Sequence, residues 1–205
     1  MYVVGFSGPE RIGKTTFIND VCRYLQNEWG YDCLVIPEVT MRPENMLLDL
    51  NNLSVQEYLL YSQIASEAIL FASTAKDIVL IDRPPIDILP YIVYSHGLRG
   101  GRRQGAELME RTSLDWVISK YDLLFYFNYS FVVPLVGKHF SECDLKLWKK
   151  RSNYLKSLVS TIHKRPKPTL NTKFISIGVP NSHVTETGDY IANKKSRLEK
   201  NGIKK

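Results

Sequence analysis

Residues 8–16 read GPERIGKTT, with glycine at 8 and 13 followed by a lysine and two threonines. From Gly8 to Thr15 the spacing is G-x-x-x-x-G-K-T, the pattern of a phosphate-binding loop. Such a loop must wrap a phosphate with its N–H groups turned inward, and glycines at the tight points permit this. Pro9, Glu10, Arg11 and Ile12 fill the span between the glycines, and Thr16 leads into the next element. Lys14 is spaced to reach the β and γ phosphates of ATP, and the Thr15 hydroxyl to ligate Mg²⁺. Further along, the apolar run IVLI ends at Asp82. A carboxylate at such a strand tip orients Mg²⁺, directly or through a bound water. Arg83, beside it, is always charged and suits either phosphate oxygens or a surface ion pair.

The elements around these residues must bring them together. YVVGFS (2–7) reads as a buried strand, and Phe17, Ile18, Val21, Cys22, Leu25 and Trp29 share one face of a helix that Gly30 stops. CLVI (33–36) is a second strand, with Glu38 just past its end. SVQE at 54–57 has the form of a capping box and opens a long helix to about residue 75. A third strand covers 78–81 and ends at Asp82. A helix capped by Asp87 then runs to His96, with Pro90 in its first turn. Residues 105–120 form another helix, 122–127 a fourth strand, 144–163 a helix and 173–178 a fifth strand. Strand and helix alternating in this way predict an α/β fold: a five-stranded parallel sheet with helices on both faces. Ligands of such sheets sit at the carboxyl ends of the strands. Gly8–Thr16, Glu38 and Asp82 with Arg83 all lie there.

Together, the loop, the Asp-Arg pair after the third strand and the glutamate after the second resemble the P-loop nucleoside and nucleotide kinases, of the thymidylate kinase type. The resemblance spans roughly residues 2–178 and implies a P-loop NTPase fold. It also implies a role for Arg11. GPERIGKT is similar to the form G-x-(acid)-R-x-G-K-(S/T), whose arginine contacts the transferring phosphoryl group, where a positioned guanidinium stabilises the charge spread over its oxygens. By the same resemblance Glu38 and Arg42, in IPEVTMR, handle the acceptor. Glu38 does so as general base toward a hydroxyl, or Arg42 by gripping an acceptor phosphate. DRPPIDILPY is similar to the family's Asp-Arg segment and also to nicotinamide riboside kinases. In it, Asp87 is either an acceptor contact or a helix cap. The family's arginine-rich lid has two candidates: Arg99, Arg102 and Arg103 in LRGGRRQG, where glycines give flexibility, and Lys149, Lys150 and Arg151.

Composition sets outer limits. With 205 residues, 44% hydrophobic and 23% charged, the chain fits one soluble domain. No apolar run approaches the roughly 18 residues of a membrane span, and the N-terminus lacks the pattern of a secretory signal. The expected location is therefore cytoplasmic, the host cytoplasm for a phage protein. Cys22, Cys33 and Cys143 fit neither a zinc site nor a disulfide framework, and His96, His139, His163 and His183 are equally scattered. Of the net charge of +6, the last thirteen residues carry six Lys or Arg against one Glu, leaving +1 for residues 1–192. The expected organisation is one kinase domain over 1–192 and a basic, disordered tail over 193–205, which either tethers the protein to nucleic acid or keeps it soluble.

The expected function is an ATP- and Mg²⁺-dependent kinase acting on a nucleotide-type acceptor, with thymidylate or another deoxynucleoside monophosphate first. The alternative is transfer to a hydroxyl, of a free nucleoside such as nicotinamide riboside or of a 5-hydroxymethyluracil base within phage DNA. DNA would then bind through the basic tail and the Arg-Gly loop. A further alternative is a P-loop ATPase with no acceptor. Resemblance also suggests a homodimer.

Overall fold

The computed structural model describes residues 1–10, 12–41, 45, 47–49, 52–95, 101–128, 142–164, 171–176 and 182–200, with backbone alone at 41, 95, 101–104, 128, 142–143, 171–176 and 182. In chain order the elements are β1 (Tyr2–Ser7), α1 (Lys14–Trp29), β2 (Cys33–Ile36), a 3₁₀ turn (Val39–Met41), α2 (Leu53–Ser73) and β3 (Ile78–Asp82). A second 3₁₀ turn (Pro85–Asp87) follows, then α3 (Leu89–Ser95), α4 (Gly101–Lys120), β4 (Leu123–Asn128), α5 (Glu142–Lys164), β5 (Asn171–Ser176) and α6 (Ser182–Lys200).

Four strands with described side chains lie in the order β2-β3-β1-β4, and β5 pairs with β4 through its backbone at the edge; every pairing is parallel. Parallel neighbours require crossover connections, which the helices supply. Because successive strand residues face opposite sides, the sheet separates two apolar layers. Tyr2, Val4 and Phe6 of β1 join Ile78, Leu80, Leu123, Phe125 and Phe127 under α1 and α6. Val3 joins Val79, Ile81, Leu124 and Tyr126 against α2, α3, α4 and α5. On the α1 side the Phe6 and Phe125 rings stack 5.2 Å apart. Each fully buried side chain of this size contributes on the order of 1.5–3 kcal/mol.

Several boundaries differ from the sequence-based expectation, each for a local reason. The N-cap of α2 is Asn52, not Ser54: its side chain accepts from the Ser54 amide at 2.9 Å, so the helix begins at Leu53. Asp87 does not cap a helix, since α3 starts at Leu89 and the Asp87 carboxylate is turned elsewhere. α4 begins at Gly101, so the backbone of Arg102 and Arg103 is helical rather than part of a glycine-rich loop. The expected disordered tail is also corrected: residues 193–200 are the last turns of α6, while 201–205 lie outside the described residues. There Ile191 and Ala192 are buried against α1, with Val184 and Leu198 packed beside them. Tyr24 and Trp29 of α1 both donate to Asp189, at 2.9 and 3.0 Å, which ties the two helices together. Among the described residues no helix is long and apolar enough to cross a membrane.

Candidate active site

β1 enters the loop between two carboxylates, one on each side of the sheet. Phe6 pairs with Asp82 in the β1–β3 register, and both belong to the α1 side. Ser7, one residue on, faces the other side, where the turn after β3 presents Asp87. The loop then closes onto α1 through Gly13, whose φ of 84° is the left-handed conformation that the second glycine of the motif permits. Gly8 has φ 151°, and a Cβ there would stand 2.9 Å from the Phe127 Cβ. The motif's two glycines are thus required by the backbone, one for a turn and one for a close approach.

Lys14, the first residue of α1, is buried, and its ammonium donates to the carbonyls of Gly8 and Pro9 at 2.9 and 2.6 Å. Burial first, then the neighbouring Arg83 cation, lowers its pKa to about 8 against the opposing pull of Asp87, Asp82 and Glu38. The Thr15 hydroxyl donates to Asp82 Oδ2 at 2.5 Å. Thr15 is exposed and Asp82 is 2% exposed, so the hydroxyl is the open face of the pair. Asp82 Oδ1 is buried with no hydrogen-bond partner among the described residues. A buried carboxylate oxygen left over in this way is costly, and burial raises the Asp82 pKa despite the Thr15 bond and Lys14. A hydroxyl oxygen and a carboxylate are hard donors that suit Mg²⁺, an ion that usually takes one or two carboxylates and completes its shell with phosphate and water. Among the described residues no group of three or more His, Cys, Asp or Glu could hold a metal by itself. The Thr15 hydroxyl and the Asp82 carboxylate, at the mouth of the Gly8–Thr15 loop, are the two oxygens that fit such an ion.

Past Asp82, Arg83 adopts φ 61°, a left-handed conformation unusual for a residue with a side chain and a mark of local strain. Its guanidinium reaches Glu38 Oε1 at 3.0 Å and Tyr91 Oη at 3.4 Å. Burial works against the charge, but Tyr91, Glu38 and Asp87 outweigh it and the Arg83 pKa moves up. Thr40 also donates to Glu38 Oε1, at 2.5 Å. Asp87 accepts from the Ser7 hydroxyl at 2.6 Å and from the Gly8 amide at 3.1 Å. Burial raises its pKa to about 6, with Lys14 and Arg83 pulling the other way.

Next to these lies an open cleft between the loop, the turn after β3 and α5. Tyr91 stands in it, donating to Glu10 of the loop, with the Arg151 guanidinium 4.3 Å above its ring. Trp148 Nε1 donates to the Glu10 carbonyl at 3.4 Å, so α5 is fastened to the loop from the far side. The structure therefore assembles Gly8, Pro9, Glu10, Lys14, Thr15, Glu38, Asp82, Arg83 and Asp87 at one end of the sheet. Of the basic cluster on α5, Arg151 lines the cleft, while Lys149 and Lys150 are exposed. Ile12 is buried in the α1-side core and Thr16 is exposed. Arg11, Arg42 and Arg99 lie outside the described residues, as do the side chains of Arg102 and Arg103. Sequence reasoning missed Tyr91 and Trp148. The only local signal was that Tyr91 ends the segment DRPPIDILPY.

No protein-family model and no curated protein matches this sequence. Among solved structures, thymidylate kinase from Ehrlichia chaffeensis is similar over 97% of this chain and 98% of its own, with a TM-score of 0.54 and 15% identity. At that identity the likeness is one of fold. The chain has a P-loop kinase-like α/β fold, with a parallel sheet and flanking helices.

Proposed function

We propose that the protein is a kinase that transfers the γ-phosphoryl group of ATP to a nucleotide-type acceptor, with thymidylate or another deoxynucleoside monophosphate first. The observation that carries this reading is the convergence of Lys14 and the Thr15–Asp82 pair at the mouth of the loop, beside a cleft that the loop itself helps to line and that holds Arg83. One corner suits a triphosphate and the other an acceptor. Magnesium held by Thr15 and Asp82 would neutralise charge across the β and γ phosphates. The loop amides cradle the phosphates, and Lys14 exchanges its two carbonyl partners for phosphate oxygens. Arg11, by its place in the motif, serves the transferring group. Arg83 and Arg42 orient the acceptor, and closure of the α5 side over the cleft would bring Arg151 onto phosphate.

A second reading, transfer to a hydroxyl of a nucleoside or of a hydroxymethylated base in DNA, draws support from one contact. The guanidinium of Arg83 is already engaged by Glu38 at 3.0 Å, which places a carboxylate suited to act as base where a phosphate acceptor would need the cation. The experiment that decides is incubation with labelled ATP against deoxynucleoside monophosphates, free nucleosides and hydroxymethyluracil-containing DNA. Label on a monophosphate supports the first reading and label on a hydroxyl the second. ATP turnover that ignores every acceptor removes both. Glu38→Gln sharpens the choice: loss of about 10²-fold or more in rate is expected if Glu38 is the base, and about tenfold or less if it only holds Arg83.

A further inference from the structure

Asp87 has a position that neither helix capping nor simple contact with an acceptor explains. It is 2% exposed, and each carboxylate oxygen accepts one hydrogen bond from the start of the phosphate loop, one from the Ser7 hydroxyl and one from the Gly8 amide. The two partners lie 80 and 79 residues away in sequence, so the contact is made by the fold. It occurs because Ser7 faces the side of the sheet opposite Asp82, while Ile86 and Ile88, on either side of Asp87, are buried in the apolar layer there. Four residues past Asp87 stands Tyr91, whose hydroxyl donates to Glu10 in the same loop. A single short segment after β3 thus grips the loop twice, once at its entry and once at its crown.

We propose that Asp87 is a positioning residue that sets the opening of the phosphate loop by anchoring Ser7 and Gly8 to the segment that forms the acceptor cleft. This rests on the reading of residues 8–15 as a nucleotide loop. Gly8 is the point at which the chain leaves β1, and its amide direction decides where the following amides aim. With both oxygens engaged as acceptors, the ionised carboxylate is the form that holds the loop. Protonation would turn one oxygen into a donor, which cannot face the Gly8 amide and can face Ser7 only if that hydroxyl turns round to accept. Among the described residues, Lys14, Arg83 and the hydroxyl of Tyr121 are charged or titratable groups that interact with this carboxylate, from α1, the turn after β3 and the entry to β4. The two cations favour the ionised form, and burial opposes it.

The test uses isotope-labelled full-length protein, with the Gly8 amide followed by NMR from about pH 5 to about pH 8. The expected result is a Gly8 resonance with a titration step at about 6 in the wild type that is missing in Asp87→Asn, any remaining movement near pH 8 belonging to Lys14. Calorimetric titration with Mg·ATP at neutral pH should show Asp87→Asn weakened about tenfold and Ser7→Ala weakened less, because it removes one anchor of two. Melting temperature separates positioning from folding. The buried carboxylate is held ionised above its folded pKa, so Asp87→Asn should melt at or above the wild-type temperature while binding worse. A wild-type Gly8 resonance without that step would overturn the proposal. So would an Asp87→Asn variant that binds Mg·ATP within about twofold of wild type, or whose weaker binding tracks a lowered melting temperature. Should the wild type bind no nucleotide, the kinase reading falls, and the Gly8 titration still decides whether Asp87 anchors the loop.

Discussion

Lys14 and Lys195 are both buried, 5% and 6% exposed, and their surroundings are opposite in kind. Lys195, on α6, donates to Glu199 and to Asp77 at 3.5 Å and lies 4.5 Å from the Tyr31 ring centroid. Those partners outweigh the desolvation cost, and its pKa is raised. The ammonium of Lys14 has two neutral carbonyls within bonding distance, and its pKa is lowered to about 8. A cation already neutralised by carboxylates serves the fold. One whose nearest ligands are carbonyl dipoles still has most of its field available for an incoming anion. Burial alone does not tell how far a lysine's charge is already neutralised; the chemistry of the nearest ligand does.

The largest break in this comparison should come from Lys14→Met, which is expected to lower phosphoryl transfer by about 10³-fold or more in a labelled-ATP assay. Its melting temperature should hold or rise, because the wild type bears the cost of a buried, poorly matched charge. Equal loss of activity and of stability would put Lys14 in the structural class with Lys195. Next in size is the metal. Chelation of Mg²⁺ should abolish transfer, and Asp82→Asn should raise the Mg²⁺ needed for half-maximal activity by about tenfold or more. An Asp82→Asn enzyme with unaltered Mg²⁺ dependence would remove Asp82 from the ion's shell.

The pH dependence sharpens the contrast further. Lys14 must be protonated to meet phosphate, so kcat/KM for ATP should fall as pH rises through about 8. Bound phosphates raise that pKa, so the alkaline limb of kcat should lie at higher pH. For stability the sign is opposite. The folded pKa is below the unfolded value of 10.5, so the unfolded chain binds more protons between the two, and Lys14 makes the fold more stable as pH rises across that window. The smallest effect belongs to Lys195→Met. It should lower the melting temperature by about 2–4 °C, corresponding to about 1 kcal/mol, and leave kcat unchanged. Thermal melts and steady-state rates on the same preparation check both halves.

How much was legible in advance follows from sequence distance. The backbone of residues 8–15 announces itself because the pattern is local: its glycines stand at the turn and the close approach that the chain makes there. The place of Asp82 at the end of β3 was legible for a related reason, as a charge closing an apolar run. The cleft was not, because the Tyr91–Glu10 and Trp148–Glu10 contacts join residues 81 and 138 positions apart. Neither partner carries a pattern that names the other. For Asp87 the sequence offers an acceptor contact or the cap at a helix start, and neither points to Ser7, which the parity of β1 turns toward it. α6 was hidden by its own charge. Six basic residues in the last thirteen suggested a solvated tail, although Val184, Ile191 and Leu198 recur at helical intervals of seven and face α1.

The pairing of Phe6 with Asp82 has a consequence for how this chain tolerates insertions and deletions. Strands present side chains in steps of two, so one residue added within 78–81 would exchange odd for even and swing the carboxylate away from Thr15, yet leave the apolar composition almost intact. Adding two would restore the parity. Drift in the length of this strand should therefore be quantised, with the intermediate length folding less well and parting Asp82 from Thr15.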